Sequence, residues 1–277
     1  SIRKALIYHN LTPVRWFSSY NYRVACDLED GMTELPELAS KADLLIADST
    51  FNKTELEGFG GKGVRVLPLA LDTQKWSVAS NSGIAAALKG HGGKNILHVG
   101  RLAPNKKIED IIKAFYFYHH KIERKSKLWL VGIDIDTEIY SFELRRMVTE
   151  FRLEQAVEFV GAVADCELKA FYENSDVYVC MSEHEGFCVP LLEAMHFGLP
   201  VIAFDSCAVA ETLGDGGLLL AKKSPAEVAE LIDLLVTDEG LKVKVVKNGK
   251  LRAQEFELER FRNYVKSELV KPLWSAK

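Results

Sequence analysis

The chain has 277 residues, 48% of them hydrophobic and 27% charged, with a formal net charge of −4. This is the mix of a globular protein of about two domains, and it excludes a globally basic nucleic-acid binder. Five cysteines (Cys26, Cys166, Cys180, Cys188, Cys207) include no C-x-x-C pair, which argues against a disulfide framework or zinc ribbon and fits a reducing cytosol, and no apolar run approaches the ~20 residues that span a bilayer.

In chain order, short β-rich runs alternate with helical patterns. Strands are predicted at Ala5–Tyr8, Asp43–Ala47 and Val64–Pro68, then at Asn95–Val99, Leu128–Val131, Val157–Val160, Asp176–Cys180 and Pro200–Phe204. Most are apolar throughout rather than alternating, as in parallel strands covered on both faces. Helices are predicted at Lys107–His119, Glu138–Phe151, Cys166–Asn174, Pro190–Phe197 and Pro225–Val236. The order is that of a doubly wound α/β fold.

Thr73–Gly93 interrupts this order. Rich in Ser, Gly, Ala and Asn and ending in Gly90-His91-Gly92-Gly93, it reads as an interdomain linker with an entry segment. The expected division is residues 1–78, 79–254 and 255–277. The second region holds a complete Rossmann-like unit of about five strands. The three strands of the first are too few for a self-sufficient sheet, so either that domain is abbreviated or the chain lacks an N-terminal portion. The latter is the expectation, with a sheet over residues 1–70 that exposes an edge or a bare face. From Glu255 to Trp274 a long helical pattern carries Phe256, Leu258, Phe261, Tyr264, Val265, Leu269 and Leu273, a stripe that needs a surface such as the first domain to cover.

Two segments carry chemistry. In the first, the strand Asp176–Cys180 runs into Ser182-Glu183-His184-Glu185-Gly186-Phe187-Cys188-Val189-Pro190-Leu191-Leu192-Glu193-Ala194-Met195. Ligands of open α/β sheets bind beyond the carboxyl ends of the strands, and a helix N-terminus seats anions. Glu185 and Glu193 so placed suit hydroxyl recognition at the two ends of one ligand, with phosphates between them; equally, they could simply complement the helix dipole. In the second segment, His98-Val99-Gly100-Arg101-Leu102-Ala103-Pro104-Asn105-Lys106-Lys107, a glycine at a strand end lets backbone approach a ligand. Arg101 supplies a bidentate fork and Lys106 a point charge, which together make either a diphosphate clamp or a solvated basic loop.

Taken together and at this spacing, the two segments resemble glycosyltransferase family 4, the glycosyl transferases group 1. The resemblance covers roughly Asn95 to Leu235 and includes Leu130-Val131-Gly132, Phe159-Val160-Gly161-Ala162-Val163 and the Glu-x7-Glu pair of Glu185 and Glu193. It implies a GT-B architecture of two Rossmann-like domains facing across a cleft, with acceptor-side first domain and donor-binding second domain, and sugar transfer with retention. It also implies that Arg101 and Lys106, on the loop opened by Gly100, contact the donor diphosphate. Glu185 and the Gly186-Phe187-Cys188 backbone would hold the transferred sugar and β-phosphate, Glu193 the ribose, and the backbone near Val163 the base. Cys188 stands where the family commonly has glycine. Upstream, Leu6-Ile7-Tyr8-His9 is similar to the family's first-domain strand whose terminal histidine lines the cleft, although a histidine there can also be an ordinary polar loop residue. No protein nucleophile is implied.

The donor implied is a UDP- or GDP-sugar, used as substrate with no cofactor and no metal, and the acceptor a glycan or lipid-linked sugar. With these go envelope or capsule polysaccharide assembly, a cytoplasmic location and peripheral contact with the inner membrane face. Asp134-Ile135-Asp136 spells the D-x-D of metal-dependent glycosyltransferases, but it follows a strand whose loop is not the expected phosphate seat, so a solvated turn is expected. His119-His120 and Glu183-His184 lack a third ligand at helical spacing. Two alternatives stand beside the transferase: another GT-B enzyme such as a sugar-nucleotide epimerase or a phosphorylase, and a donor-binding fragment without transferase activity.

Overall fold

The computed structural model describes residues 3–270. The first sheet holds β1 (Ala5–Tyr8), β2 (Leu44–Ala47) and β3 (Arg65–Val66), all parallel in the order β1-β2-β3. Edge strand β1 leaves Ile7 48% exposed. Two helices cross over between these strands: α1 (Tyr22–Ser40), with the Asn21 side chain accepting from the Val24 N–H, and α2 (Thr50–Gly58), with Ser49 accepting from that of Asn52. Such caps satisfy amide donors that the first helical turn leaves unpaired. Helix α1 is absent from the sequence reading because Gly31 and Pro36 lie inside it, and both residues oppose helix formation. It forms because Ala25, Leu35 and Ala39 bury their side chains.

Residues 73–93 correct the linker reading. Within them lie a 3-10 turn at Gln74–Ser77 and α3 (Ser82–Gly90). Trp76 and Leu88 are buried in the same core as the second sheet, so this segment is part of that packing unit.

The second sheet holds β4 (Asn95–Val99), β5 (Lys127–Val131), β6 (Val157–Gly161), β7 (Val177–Cys180), β8 (Val201–Phe204) and β9 (Leu218–Leu220). All its pairings are parallel, in the order β6-β5-β4-β7-β8-β9. It thus has six strands where about five were expected. The additional one, β9, is only three residues long and lacks β-branched residues. It follows Gly216-Gly217, where a Cβ on Gly217 would come within 2.8 Å of the Val201 carbonyl oxygen.

Helices α4 (Ile108–Phe117), α5 (Glu138–Glu150) and α9 (Pro225–Thr237) build the core on one face of this sheet, and α3, α6 (Asp165–Asn174), α7 (Val189–His196) and α8 (Val209–Leu213) build it on the other. Helix α10 (Glu239–Gln254) then leads to α11 (Leu258–Tyr264), followed by a wider π turn at Val265–Val270. This end of the chain lies on the first sheet: Phe261 and Val265 pack against Ile46 and Leu67, and the Tyr264 hydroxyl donates to the Val66 carbonyl at 3.1 Å. The α-helical stretch is shorter than the expected pattern, whose Leu273 lies outside the described residues.

Strand order reverses between β4 and β7: the chain leaves β4 toward β5 and β6 on one side, then returns to β7, β8 and β9 on the other. Loops that leave neighbouring strands in opposite directions open a crevice between them. The two segments singled out from the sequence are the loops after β4 and after β7.

Candidate functional site

Space for the β4 loop is made by Gly132, at the end of β5, where a Cβ would stand 1.9 Å from the Gly100 carbonyl oxygen. The chain then turns through Pro104–Lys106 into a left-handed Lys107 (φ 53°). Asn105 ties this loop to the one after β7. Its carbonyl accepts from the Glu183 N–H at 2.8 Å, and its side-chain amide donates to the His184 carbonyl at 3.0 Å. This double tie sets Lys106 opposite Glu185.

Lys106 Nζ lies 2.6 Å from each Glu185 carboxylate oxygen. The glutamate side chain is only 7% exposed and that of the lysine 22%. Burial would lower the Lys106 pKa, but Glu185, with Cys188 and Cys180 nearby, outweighs it and holds the ammonium above its ordinary range. Beneath them the buried His98 donates from Nδ1 to the Val179 carbonyl at 2.9 Å. Burial pushes its pKa down to about 4, so the ring is neutral at physiological pH.

From the first sheet, His9 pairs Nδ1 with Asp48 Oδ2 at 2.8 Å. Asp48, just beyond β2, is buried, and burial raises its pKa against the opposing effect of His9. A buried carboxylate behind a cleft histidine fixes the ring's orientation and tautomer. The two halves meet closely here. His184 Nε2 is 2.7 Å from Asn10 Oδ1, and a Cβ on Gly186 would stand 2.7 Å from Asn10 Cβ and 2.8 Å from the His9 carbonyl oxygen.

His9, Arg101, Lys106, Glu185 and Gly186 share one cavity of about 230 Å³, with Asn10, Asn105 and His184 on its wall. Arg101 donates from Nε and Nη2 to the Ile135 carbonyl at 3.2 and 2.8 Å, and its guanidinium lies 5.5 Å from the Phe17 ring centroid. The D-x-D segment therefore meets the site through a backbone carbonyl, with Asp136 4.0 Å from Arg101.

Other predicted site residues lie off this cavity. Glu193 is 4% exposed, with its carboxylate paired to Lys75 and accepting from the Tyr172 hydroxyl at 2.8 Å. Val163 packs against the core that holds α6 and α7. Phe187 is turned into a separate apolar cavity of about 350 Å³ with Leu67, Phe256 and Phe261. Cys188 caps α7 in a left-handed conformation (φ 72°), its sulfur 3.9 Å from that of Cys180. The sequence reading overlooked Asp48, Asn105 and Lys75. Of these, only Asp48 and Asn105 left a signal, each a polar residue inside or directly after an apolar run.

Two parallel sheets that share a cavity between charged loops at strand ends define the class: a GT-B fold. Residues 83–252 match the glycosyl transferases group 1, and the chain belongs to that family. It is similar to the N,N′-diacetylbacillosaminyl-diphospho-undecaprenol α-1,3-N-acetylgalactosaminyltransferase of Campylobacter jejuni, 31% identical over 149 residues that cover 53% of this chain and 37% of that one. It is also similar to O-antigen chain mannosyltransferase B of Escherichia coli, 25% identical over 163 residues covering 59% and 42%. Among solved structures, Anabaena HepE in complex with UDP and glucose superposes with a TM-score of 0.81 at 22% identity, over 97% of this chain and 72% of that one. The chain spans less than half the length of the curated relatives it matches. Among the described residues, no helix is long and apolar enough to cross a membrane.

Proposed function

We propose that the chain is the donor-binding part, with some of the acceptor side, of a retaining glycosyltransferase that moves a sugar from a UDP- or GDP-sugar to a glycan or lipid-linked acceptor. On this reading residues 1–78 form the acceptor side, save that 73–78 pack with the second sheet, 79–254 form the donor side, and the described part of 255–277 lies back on the first. The observation that carries it is the convergence of Arg101, Lys106, Glu185 and His9 on one cavity at the point of strand reversal. An ammonium has three N–H donors; Glu185 takes two of those of Lys106, which leaves one for a phosphate oxygen.

In the chemistry proposed, Arg101 and Lys106 hold the diphosphate and stabilise the charge that grows on it as the glycosidic bond breaks. Glu185 and the Gly186 backbone orient the sugar, and His9, fixed by Asp48, lines its other side. The leaving phosphate takes the acceptor proton, so no protein nucleophile is used. The ribose would meet Glu193, with Lys75 moving aside, and the base would lie near Val163. Basic groups rather than carboxylates seat the phosphates, so no metal ion is required. Envelope polysaccharide assembly at the cytoplasmic membrane face fits the chemistry that the names of the relatives carry.

A second reading, donor binding without transfer, is favoured by the charged groups of the cavity, of which Arg101, Lys106 and Glu185 all come from loops of the second sheet. Thermal shift with UDP, GDP and their sugars tests the donor site: a nucleotide at 100 times its Kd should add roughly 2.7 kcal/mol. Transfer to a lipid-linked acceptor then separates the two readings. No shift with any nucleotide refutes both.

A further inference from the structure

Cys180 and Cys188 take no part in that chemistry as side chains, yet their thiols are buried at the donor loop. Cys180 ends β7 and Cys188 caps α7, so the chain between them forms the whole loop that carries Glu185. Their sulfurs are 3.9 Å apart. Two thiolates bound tetrahedrally to one ion at about 2.3 Å stand about 3.8 Å from each other. One sulfur from each cysteine and one carboxylate oxygen of Glu185 all lie within 4.8 Å of one another, and this is the only such cluster among the described residues. The position already attracts a cation, since the Lys106 ammonium sits 2.6 Å from both Glu185 oxygens.

We propose that Cys180, Cys188 and Glu185 form a binding site for one thiophilic divalent cation, Zn²⁺ or Cd²⁺, which competes with the Lys106 ammonium. Two sulfurs and a carboxylate oxygen supply three ligands of a tetrahedral ion, with water as the fourth. Soft thiolates select such ions over Mg²⁺, which prefers an octahedron of oxygens. On binding, two S–H bonds break and two metal–sulfur bonds form, with two protons released to solvent. The Glu185–Lys106 pair opens, and a metal–oxygen bond replaces it. The metal site stands whether or not the donor reading holds. Only one consequence rests on that reading: the ion, by taking Glu185 and freeing Lys106, inhibits donor binding.

The test is titration of the reduced chain with Cd²⁺ alone, followed by thiolate-to-metal charge-transfer absorption, with Zn²⁺ as competitor and proton release measured in a weak buffer. One ion per chain and two protons per ion are expected. Both Cys180→Ala and Cys180→Ser should weaken binding by more than about 100-fold, because even changes outside the ligand set cost ~10–100-fold. Lys106→Met should tighten it by about tenfold or more, since the competing cation is gone. Cys207, whose sulfur lies 3.6 Å from His184 Nδ1, is the other thiol near this loop, so Cys207→Ala should change nothing. The proposal is overturned if Cd²⁺ gives no thiolate band, if the band survives both Cys180 substitutions, or if Cys207→Ala abolishes it. Cd²⁺ binding with no effect on UDP or GDP affinity would keep the metal site and overturn its link to the donor seat.

Discussion

Replacing Lys106 by methionine keeps most of the side chain's volume and removes its charge. The partner left behind is Glu185, 7% exposed, with both oxygens engaged by the lost ammonium. Breaking a buried ion pair from one side costs about 3–5 kcal/mol, because the remaining charge is uncompensated. The cavity beside Glu185 admits water, which places the expected cost near the lower end, about 3 kcal/mol. In a protein of this size 1 kcal/mol shifts Tm by about 2–4 °C, so Lys106→Met should melt about 6–12 °C below the wild type. Glu185→Gln alone also breaks the pair, but it leaves an ammonium on a longer and more exposed stem, and should cost less. The double variant should recover much of the loss, giving a coupling energy of about 2 kcal/mol or more across the cycle. The assay is calorimetry or near-UV circular dichroism on the four proteins at one pH. If Lys106→Met melts with the wild type and the coupling is under about 0.5 kcal/mol, the pair is solvated and the electrostatic core of the site is misjudged.

Arg101→Ala should weaken nucleoside-diphosphate binding about ten- to a hundredfold, with a smaller effect on the nucleoside, and Arg101→Lys should recover only part of it; equal sensitivity of both ligands in isothermal titration would misplace the diphosphate. Asp48→Asn should leave nucleotide affinity within about twofold while lowering turnover of the sugar donor about tenfold or more, through loss of the fixed His9 orientation; unchanged turnover would make the pair structural only. Gly186→Ala forces a Cβ to 2.7 Å from Asn10 and should cost about 1–3 kcal/mol in thermal stability, so an unshifted midpoint would mean that the two halves do not meet there. Below the ordinary histidine pKa of 6.5 the unfolded chain takes up a proton that folded His98, with a pKa of about 4, refuses. Stability should therefore be full above pH 6.5 and fall by about 3 kcal/mol as pH drops toward 4; His98→Gln should flatten this part of the pH profile, with Lys106 and Glu185 as the charged groups nearby, and an unchanged slope would remove His98 as its source.

Fold class and the two loops were legible because both rest on local signals. Largely apolar runs mark β4, β5, β7 and β8 as buried parallel strands, and the glycines and charges beyond β4 and β7 mark the loops that line the cavity. What stayed hidden depends on tertiary partners. Ser82–Gly90 looks like linker because its Ser, Gly and Ala content resembles that of flexible chain, yet Leu88 is held in the core of the second sheet. Glu193 has the spacing of a ligand residue, but spacing says nothing of Lys75, 118 residues away, which takes its carboxylate. The pairing of His9 with Asp48 likewise joins positions 39 residues apart through the neighbouring ends of β1 and β2.

Backbone strain points to the same place as the charges. Among the described residues, six non-glycine positions have positive φ: Asn10, Lys107, Asp136, Arg152, Cys188 and Cys207. All but Arg152 belong to the cavity or the segments that bound it. Asn10 lines the cavity wall, Lys107 follows Lys106, Asp136 lies 4.0 Å from Arg101, and Cys188 and Cys207 flank the Glu185 loop. Each such residue costs about 1–2 kcal/mol relative to an ordinary conformation, and strain of this kind persists only where surrounding contacts over-determine it. Those contacts are visible for Asn10, whose amide donates to Asn52 and Glu55 while its oxygen meets His184. At Cys188 a glycine would remove the strain outright. The thiol there, 3.9 Å from Cys180, is buried in the core of the second sheet, and its burial together with the backbone entropy that a glycine would lose offsets much of that strain.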